Sequence, residues 1–173
     1  MKQHTQTLNL VLDQAFNGKG IRHGGNTIPF NQQPWLTYAK SYGVGFLAGQ
    51  ANKKLEEAFT IKHGQDRINE MLGAITYLCM ADMFTQGKDR QWGCDYMLDD
   101  YIAKLSVSEG MDQVILDKLK HLQYIYGPSG LVQQAVEWIK AEAYRAAIQT
   151  ICMVIELYQD EETATESLKP RRK

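Results

Sequence analysis

The stretch that decides the fold is residues 65–86, which read QDRINEMLGAITYLCMADMFTQ. Apolar residues recur in it at intervals of three and four, the spacing that places side chains on one face of an α-helix. Together they form a wide apolar stripe: Ile68, Met71, Leu72, Ile75, Leu78 and Cys79. The stretch therefore predicts a long amphipathic helix that buries one broad face.

The same periodicity governs the rest of the chain, and no segment shows the alternation typical of a strand. It predicts further helices over 4–16, 35–60, 95–105, 108–125 and 130–159. We therefore expect an all-α, single-domain bundle of five or six helices, with a long polar loop over 17–34 after the first helix. The domain is predicted to span 1–160. A charged tail over 161–173 lacks periodic apolar residues and is expected to be disordered.

The composition is that of an ordinary globular domain, with 44% hydrophobic and 23% charged residues. No apolar run approaches the roughly 20 residues needed to cross a bilayer, and the first ten residues lack the apolar core of a secretory signal. The three cysteines, Cys79, Cys94 and Cys152, lie far apart and form no C-x-x-C pair. This pattern argues against a disulfide framework or a zinc site and predicts a cytoplasmic protein without a membrane partner.

Charge is spread unevenly along the chain. The whole chain has a formal net charge of −1, but residues 1–62 hold seven Lys/Arg against three Asp/Glu. A local positive excess is able to hold a small anion even when the total is near neutral. The alternative is that the charges of different helices simply pair with each other. Neither pattern is a basic stripe of the kind that binds nucleic acid.

The loop after the first helix contains NGKGIRHGGN at residues 17–26. Backbone N–H groups of a glycine-rich loop are able to line an anion, and Lys19 and Arg22 would add charge-assisted hydrogen bonds. His23 adds one possible ligand contact. The stretch is no P-loop, because no strand precedes it and no Ser or Thr follows the lysine. The competing interpretation is a polar connection that uses glycine for its turns.

Three glycines, Gly43, Gly45 and Gly49, fall inside the predicted helix 35–60. They resemble a dinucleotide fingerprint only superficially, since that motif requires a preceding strand. Each interior glycine costs a helix about 1 kcal/mol relative to alanine. We expect close helix packing through Gly45 and Gly49 to offset this cost, with a break in the helix as the alternative.

Carboxylates collect at the junction of two predicted helices. Glu56 and Glu57 end the helix 35–60, and Asp66 and Glu70 begin the helix 65–86. If these helices pack antiparallel through the short turn between them, the acids face each other, as a magnesium–triphosphate site requires. The alternative is that they are surface acids, favourable near a helix N-terminus.

Asp82 lies on the apolar stripe itself, one turn beyond Leu78. A carboxylate in such a position needs a partner or a shifted pKa. The sequence predicts a pairing with a buried Arg or Tyr, or a place at an interface.

The last predicted helix, 130–159, is apolar on nearly every side from Ala143 to Leu157. Such a helix lies at the centre of its bundle or in an oligomer interface, and we expect a homo-oligomer. Ser129 is a candidate N-cap for this helix.

Residues 22–84 resemble the MazG-like all-α nucleoside triphosphate pyrophosphohydrolases, including phage-encoded relatives. The resemblance lies in RHGG before QQPW, then YGVGFLAGQANKKLEEA, then DRINEMLGAITYL. Family members carry E-x-x-E on one helix and E-x-x-D on the next, which hold magnesium and the triphosphate. The resemblance places Glu57 and Glu70 in one position of each pair, and Lys54 and Gly73 where the other two carboxylates belong.

Two functions follow. The first is a small binding or regulatory protein without a cofactor, of the type that phages use to inhibit host enzymes. It would take a partner protein or a small, nucleotide-like anion held by Lys19, Arg22, His23, Lys53 and Lys54. The alternative is a divergent magnesium-dependent pyrophosphohydrolase that holds the metal through Glu56, Glu57, Asp66 and Glu70. No nucleophile–base pair or metal-ligand motif of another enzyme class occurs in the sequence.

Overall fold

The computed structural model describes residues 4–18, 27–28, 32–61, 64–86, 98–107 and 113–167, and these residues form helices without any strand. The helices are α1 (Thr5–Phe16), α2 (Pro34–Tyr42), α3 (Val44–Thr60), α4 (Gly64–Gln86), α5 (Leu98–Val107), α6 (Gln113–Lys140) and α7 (Tyr144–Ser167). The predicted all-α class is confirmed. The predicted number of five or six helices is too low for this part of the chain, because two predicted helices are each interrupted.

Helix α4 lies at the centre of the bundle and contacts α1, α3, α5 and α7. All six residues of the predicted apolar stripe are buried. Burial extends beyond that stripe to Ala74, Met80, Ala81 and Met83, so neighbours cover this helix on most sides. The clearest helix in the sequence is therefore the element around which the others pack.

The predicted helix 35–60 is divided at Gly43. Its backbone has φ 77° and ψ 178°, a conformation that L side chains rarely adopt and glycine tolerates. Its N–H still closes α2 by donating to the carbonyl of Ala39 at 2.8 Å. The break was the alternative outcome for this glycine-rich stretch, and it is confirmed. The expected close packing is wrong, since a Cβ added at Gly45 or Gly49 would meet no atom within 4 Å.

Helix α6 contains a reversal of the chain. Gly127 has φ 62° and ψ −156°, and Pro128 follows it. Lys118 Nζ lies 5.8 Å from the ring centre of Trp138, although a straight helix would separate these residues by about 30 Å. The two arms of α6 therefore fold back on each other. Ser129, the candidate N-cap, instead donates its hydroxyl to the carbonyl of Tyr126 at 2.7 Å.

The last predicted helix is likewise divided, at residues 141–143. Glu142 adopts a left-handed conformation with φ 56°, and its N–H donates to the carbonyl of Ile139. The N–H of Ala143 donates to the carbonyl of Trp138, which completes a Schellman motif. Such a motif usually has glycine where Glu142 stands, so the sequence contains no signal for this stop.

Helix α7 begins after that turn and packs against α4 and α6. Its apolar residues are buried within the chain itself: Tyr144, Ala147, Ile148, Ile151, Cys152, Val154 and Ile155. Of the two explanations for an all-round apolar helix, the central position in the bundle accounts for these residues.

The two predicted polar segments are covered only in part. The loop 17–34 lies mostly outside the described residues, as do residues 168–173. Helix α7 continues to Ser167, past the predicted end of the domain at residue 160. Among the helices described, none combines the length and the hydropathy that a membrane span requires.

Candidate functional site: the polar cluster between α3 and α4

The polar cluster forms where the acids of α3 and α4 meet. Only residues 61–63 separate the two helices, so α3 and α4 lie side by side and run antiparallel. Lys54 and Glu57 are three residues apart on α3 and therefore share one face. Glu70 lies in the second turn of α4, opposite them. The predicted meeting of the α3 and α4 acids is thus realised by Glu57 and Glu70.

One lysine connects the two acids. Lys54 Nζ donates a hydrogen bond to Glu57 Oε2 at 3.2 Å and another to Glu70 Oε2. Lys53 Nζ lies 3.6 Å from the other oxygen of Glu57, Oε1. Two ammonium groups and two carboxylates thus balance each other, and Lys54 is the group in contact with both acids.

The cluster extends from the protein interior to its surface. The side chain of Glu70 is 11% exposed, that of Lys54 25% and that of Glu57 40%. Burial lowers the pKa of Lys54, but the hydrogen bonds to Glu70 and Glu57 outweigh burial and leave this pKa above its ordinary value. Lys54 is therefore charged at neutral pH, and its charge is directed into the cluster.

Gly73 provides room for this lysine. A Cβ added at Gly73 would lie 3.4 Å from Lys54 Cδ and 3.8 Å from Cε. Beside it, Gln14 of α1 donates to the backbone carbonyl of Asn69 at 2.8 Å. A longer side chain at position 73 would occupy the space of the lysine stem. The bare face of α4 at Gly73 and the lysine on α3 thus fit each other.

The side chains present do not suit the predicted magnesium site. Of its four carboxylates, Glu56 and Asp66 are exposed and form no ion pair within the part of the chain that the structure describes. No group of three or more His, Cys, Asp or Glu side chains suited to a metal occurs there. The space that a cation would take between Glu57 and Glu70 is filled by the Lys54 ammonium.

The predicted anion-binding residues are covered unequally. Lys19, Arg22 and His23 fall outside the described residues. Lys53 is the more open of the two lysines on α3, with 64% of its side chain exposed. Lys54 is engaged by two acids of its own chain.

A second polar cluster surrounds Asp82 at the other end of α4. Asp82 Oδ2 accepts hydrogen bonds from Tyr101 Oη at 2.6 Å, from Arg145 Nε at 3.0 Å and from Gln86 Nε2. Burial, followed by the nearby Cys79 and Asp82, raises the pKa of Tyr101, so this hydroxyl remains a donor. The prediction that Asp82 pairs with Arg or Tyr is confirmed, although Arg145 is half-exposed.

The partners of Asp82 come from three helices: Gln86 from α4, Tyr101 from α5 and Arg145 from α7. Sequence reasoning did not identify Tyr101 or Arg145, because no local pattern links residues 19 and 63 positions away. The polarity of Asp82 on an apolar stripe signalled that partners exist, but not which ones.

Comparison with protein families, with curated proteins and with solved structures finds no match to this chain.

Proposed function

We propose that this protein is a small helical binding or regulatory protein that works without a metal. The observation that supports this function is the position of Lys54, whose ammonium lies between Glu57 and Glu70. These are the two acids that would have to open towards a metal in the alternative enzyme. They are already neutralised by a covalently attached cation.

A divalent cation would have to displace this ammonium or bind beside it. Displacement breaks two charge-assisted hydrogen bonds, the stronger kind in proteins. Binding beside it brings like charges together at the cost of Coulomb repulsion. Glu56 and Asp66 point to solvent and do not complete a ligand set with the inner pair.

Binding is supported by what the surface presents. Exposed Lys53 is available to a small anion, and several large aromatic side chains are exposed, the residue types enriched in protein interfaces. The proposed ligand is therefore a partner protein or a small anionic molecule. A homo-oligomer remains part of the proposal, but it would use a surface other than the apolar residues of α7, which the monomer already buries.

A second candidate function is the divergent magnesium-dependent pyrophosphohydrolase. One observation favours it: Glu57 and Glu70 meet as the MazG-like resemblance implies. The remaining two positions of that pattern, Lys54 and Gly73, also face each other across the same helix pair. The scaffold of the resemblance is thus compatible with the structure, whereas two of the four carboxylates are replaced.

A thermal-shift panel of nucleoside triphosphates and cyclic nucleotides, with and without magnesium, separates the two functions. A ligand that binds the folded state raises its melting temperature by mass action. We expect no shift that needs both nucleotide and magnesium. A magnesium-independent shift that Lys53→Gln removes would support the small-anion form of the proposal, and a flat panel would leave the partner protein.

The enzyme would show itself by turnover of a nucleoside triphosphate that requires magnesium and disappears in Glu70→Gln. Glu56→Gln, an exposed acid on the same helix as Glu57, is the matched control. Such turnover would overturn the proposed function.

A further inference from the structure

Three aromatic side chains form an exposed cluster where α2 meets α3. The ring of Phe46 lies 5.5 Å from that of Tyr38 and 6.3 Å from that of Tyr42, measured between ring centres. Tyr38 is 48% and Tyr42 73% exposed. Two large aromatic side chains of α2 thus stay in solvent beside Phe46, although they touch it.

The surface of α3 next to this cluster is bare. Gly45 and Gly49 are exposed and lie one turn apart, and a Cβ added at either would meet no atom within 4 Å. Nothing in the described chain needs the absence of these side chains. Lys53 follows one turn further on the same face and is 64% exposed.

Acidic residues are missing from this whole part of the chain. Residues 14–55 contain five Lys/Arg and no Asp or Glu. On α2 and the first half of α3 the charged residue is Lys40, which is exposed. This surface therefore attracts carboxylates at its edges and repels none of them.

We propose that the α2–α3 surface, formed by Tyr38, Tyr42, Phe46, Gly45 and Gly49, docks an acidic amphipathic helix of a partner protein. This inference rests on the proposed binding function and names its surface and partner chemistry. Aromatic side chains at one end receive the apolar residues of the partner helix. The bare turns of α3 let its backbone come close, and Lys40 and Lys53 attract its carboxylates.

The ring geometry favours protein over nucleic acid as the occupant. The planes of the rings are tilted by 49° and 40° against each other, and both tyrosines lean on Phe46. Bases stack on aromatic faces that lie open and flat. A tilted, mutually packed group instead presents edges and grooves, which suit aliphatic and aromatic side chains.

Another exposed apolar surface provides the control. On the first arm of α6, Tyr124 is 89% exposed and Ile125 and Tyr126 are exposed beside it. That arm carries both Asp117 and Lys118, so it has no preference for one sign of charge.

The test is a selection from an unbiased library of displayed 18-residue peptides on the full-length protein, with counter-selection on Gly49→Leu. This variant adds a side chain where the structure has open space, so its melting temperature should equal or exceed that of the parent. The selected peptides should carry a helical apolar stripe and a net negative charge. Enrichment of basic peptides, or of peptides without a helical pattern, would overturn the inference.

The dominant peptide is then synthesised and its affinity measured by fluorescence anisotropy. We expect Tyr42→Ala and Gly49→Leu each to weaken binding at least tenfold, Lys53→Glu several-fold, and Tyr124→Ala less than twofold. A copy of the peptide with lysine for each acid should not bind. Equal affinity for Tyr42→Ala and the parent would overturn the surface assignment.

Self-association is measured by light scattering on the same variants. A dimer that Gly49→Leu abolishes would assign the surface to a second copy and overturn the partner helix. The thermal-shift panel distinguishes failure of this inference from failure of the proposed function. A magnesium-independent nucleotide shift without peptide binding removes this surface but keeps the binding protein, whereas magnesium-dependent turnover removes the binding protein.

Discussion

The two ends of α4 treat a buried carboxylate in opposite ways. Glu70 faces one ammonium, which it shares with Glu57 at the edge of solvent. Asp82, twelve residues and about 18 Å further along the helix, receives three donors on a single oxygen. The first arrangement neutralises a pair of acids in the place where the alternative function needs a metal. The second fastens α5 and α7 to the central helix.

This difference shows that a buried acid by itself does not identify a functional site. The number and origin of its partners decide its role. An acid whose donors come from three helices is part of the fold, whereas an acid pair closed by one flexible lysine is a local arrangement between two neighbouring helices. Variants at both ends test this distinction, from the largest expected effect to the smallest.

Asp82→Ala is expected to have the largest effect, a loss of about 3 kcal/mol in the free energy of unfolding. The substitution leaves the buried Tyr101 hydroxyl without its acceptor and Arg145 without its counter-charge. Urea unfolding followed by circular dichroism measures the loss. Asp99→Ala, an exposed acid of α5, is the control and should change stability by less than about 0.5 kcal/mol. A loss below about 1 kcal/mol for Asp82→Ala would refute its role as a fastening point.

Lys54→Met is expected to cost about 1–2 kcal/mol, less than Asp82→Ala because water reaches the acids that lose their partner. Double-mutant cycles should give a larger coupling energy for Lys54 with Glu70 than for Lys54 with Glu57, since Glu70 is the more buried acid. Lys53→Met is the control, with little change expected for an exposed pair. The reverse order of the two coupling energies would contradict this description of the cluster.

Gly73→Ala should stabilise the protein by about 0.5 kcal/mol, less than the gain of about 1 kcal/mol expected for Gly49→Ala. The helix gains in both variants, but a methyl group at position 73 touches the stem of Lys54, whereas one at position 49 touches nothing. Thermal unfolding of both variants measures the difference. In a Lys54→Met background the two gains should approach each other, and an unchanged gap would show that Gly73 does not accommodate the lysine.

The smallest effect concerns pH. The folded pKa of Lys54 is raised above its unfolded value of about 10.4, so its stabilisation is fully present below that pH and is lost as pH rises through the folded pKa. The stability difference between the parent and Lys54→Met should therefore stay constant from about pH 7 to pH 9 and narrow only above about pH 10. Denaturant unfolding at three pH values measures it. Narrowing already at pH 9 would mean that burial outweighs the ion pairs.

Local patterns in the sequence predicted much of the fold. The stripe from Ile68 to Cys79 has the helical period and is buried in full, because a face that is apolar at every turn must be covered. The break at Gly43 was one of two outcomes considered for the glycines, and Asp82 was identified as an acid in need of partners. Each of these inferences uses residues within a few turns of each other.

The candidate site was predictable only by half. The meeting of Glu57 and Glu70 followed from a short turn between two helices, and the structure brings them together. The placement of the Lys54 ammonium between them did not follow, since a lysine stem has many rotamers and its direction depends on the neighbouring helix. Packing through Gly45 and Gly49 was predicted wrongly, because their conformational cost does not reveal which face lies outside.

The sequence by itself determined that the chain is helical, which faces are apolar and where polar residues would need partners, since these properties depend on spacing along one helix. Only the tertiary structure decided that the chain stops at Glu142 without a glycine, that the two arms of α6 fold back at Gly127, and that Tyr101 and Arg145 meet Asp82. These outcomes depend on contacts between distant segments. Their free energies come from burial and hydrogen bonding that no single segment provides.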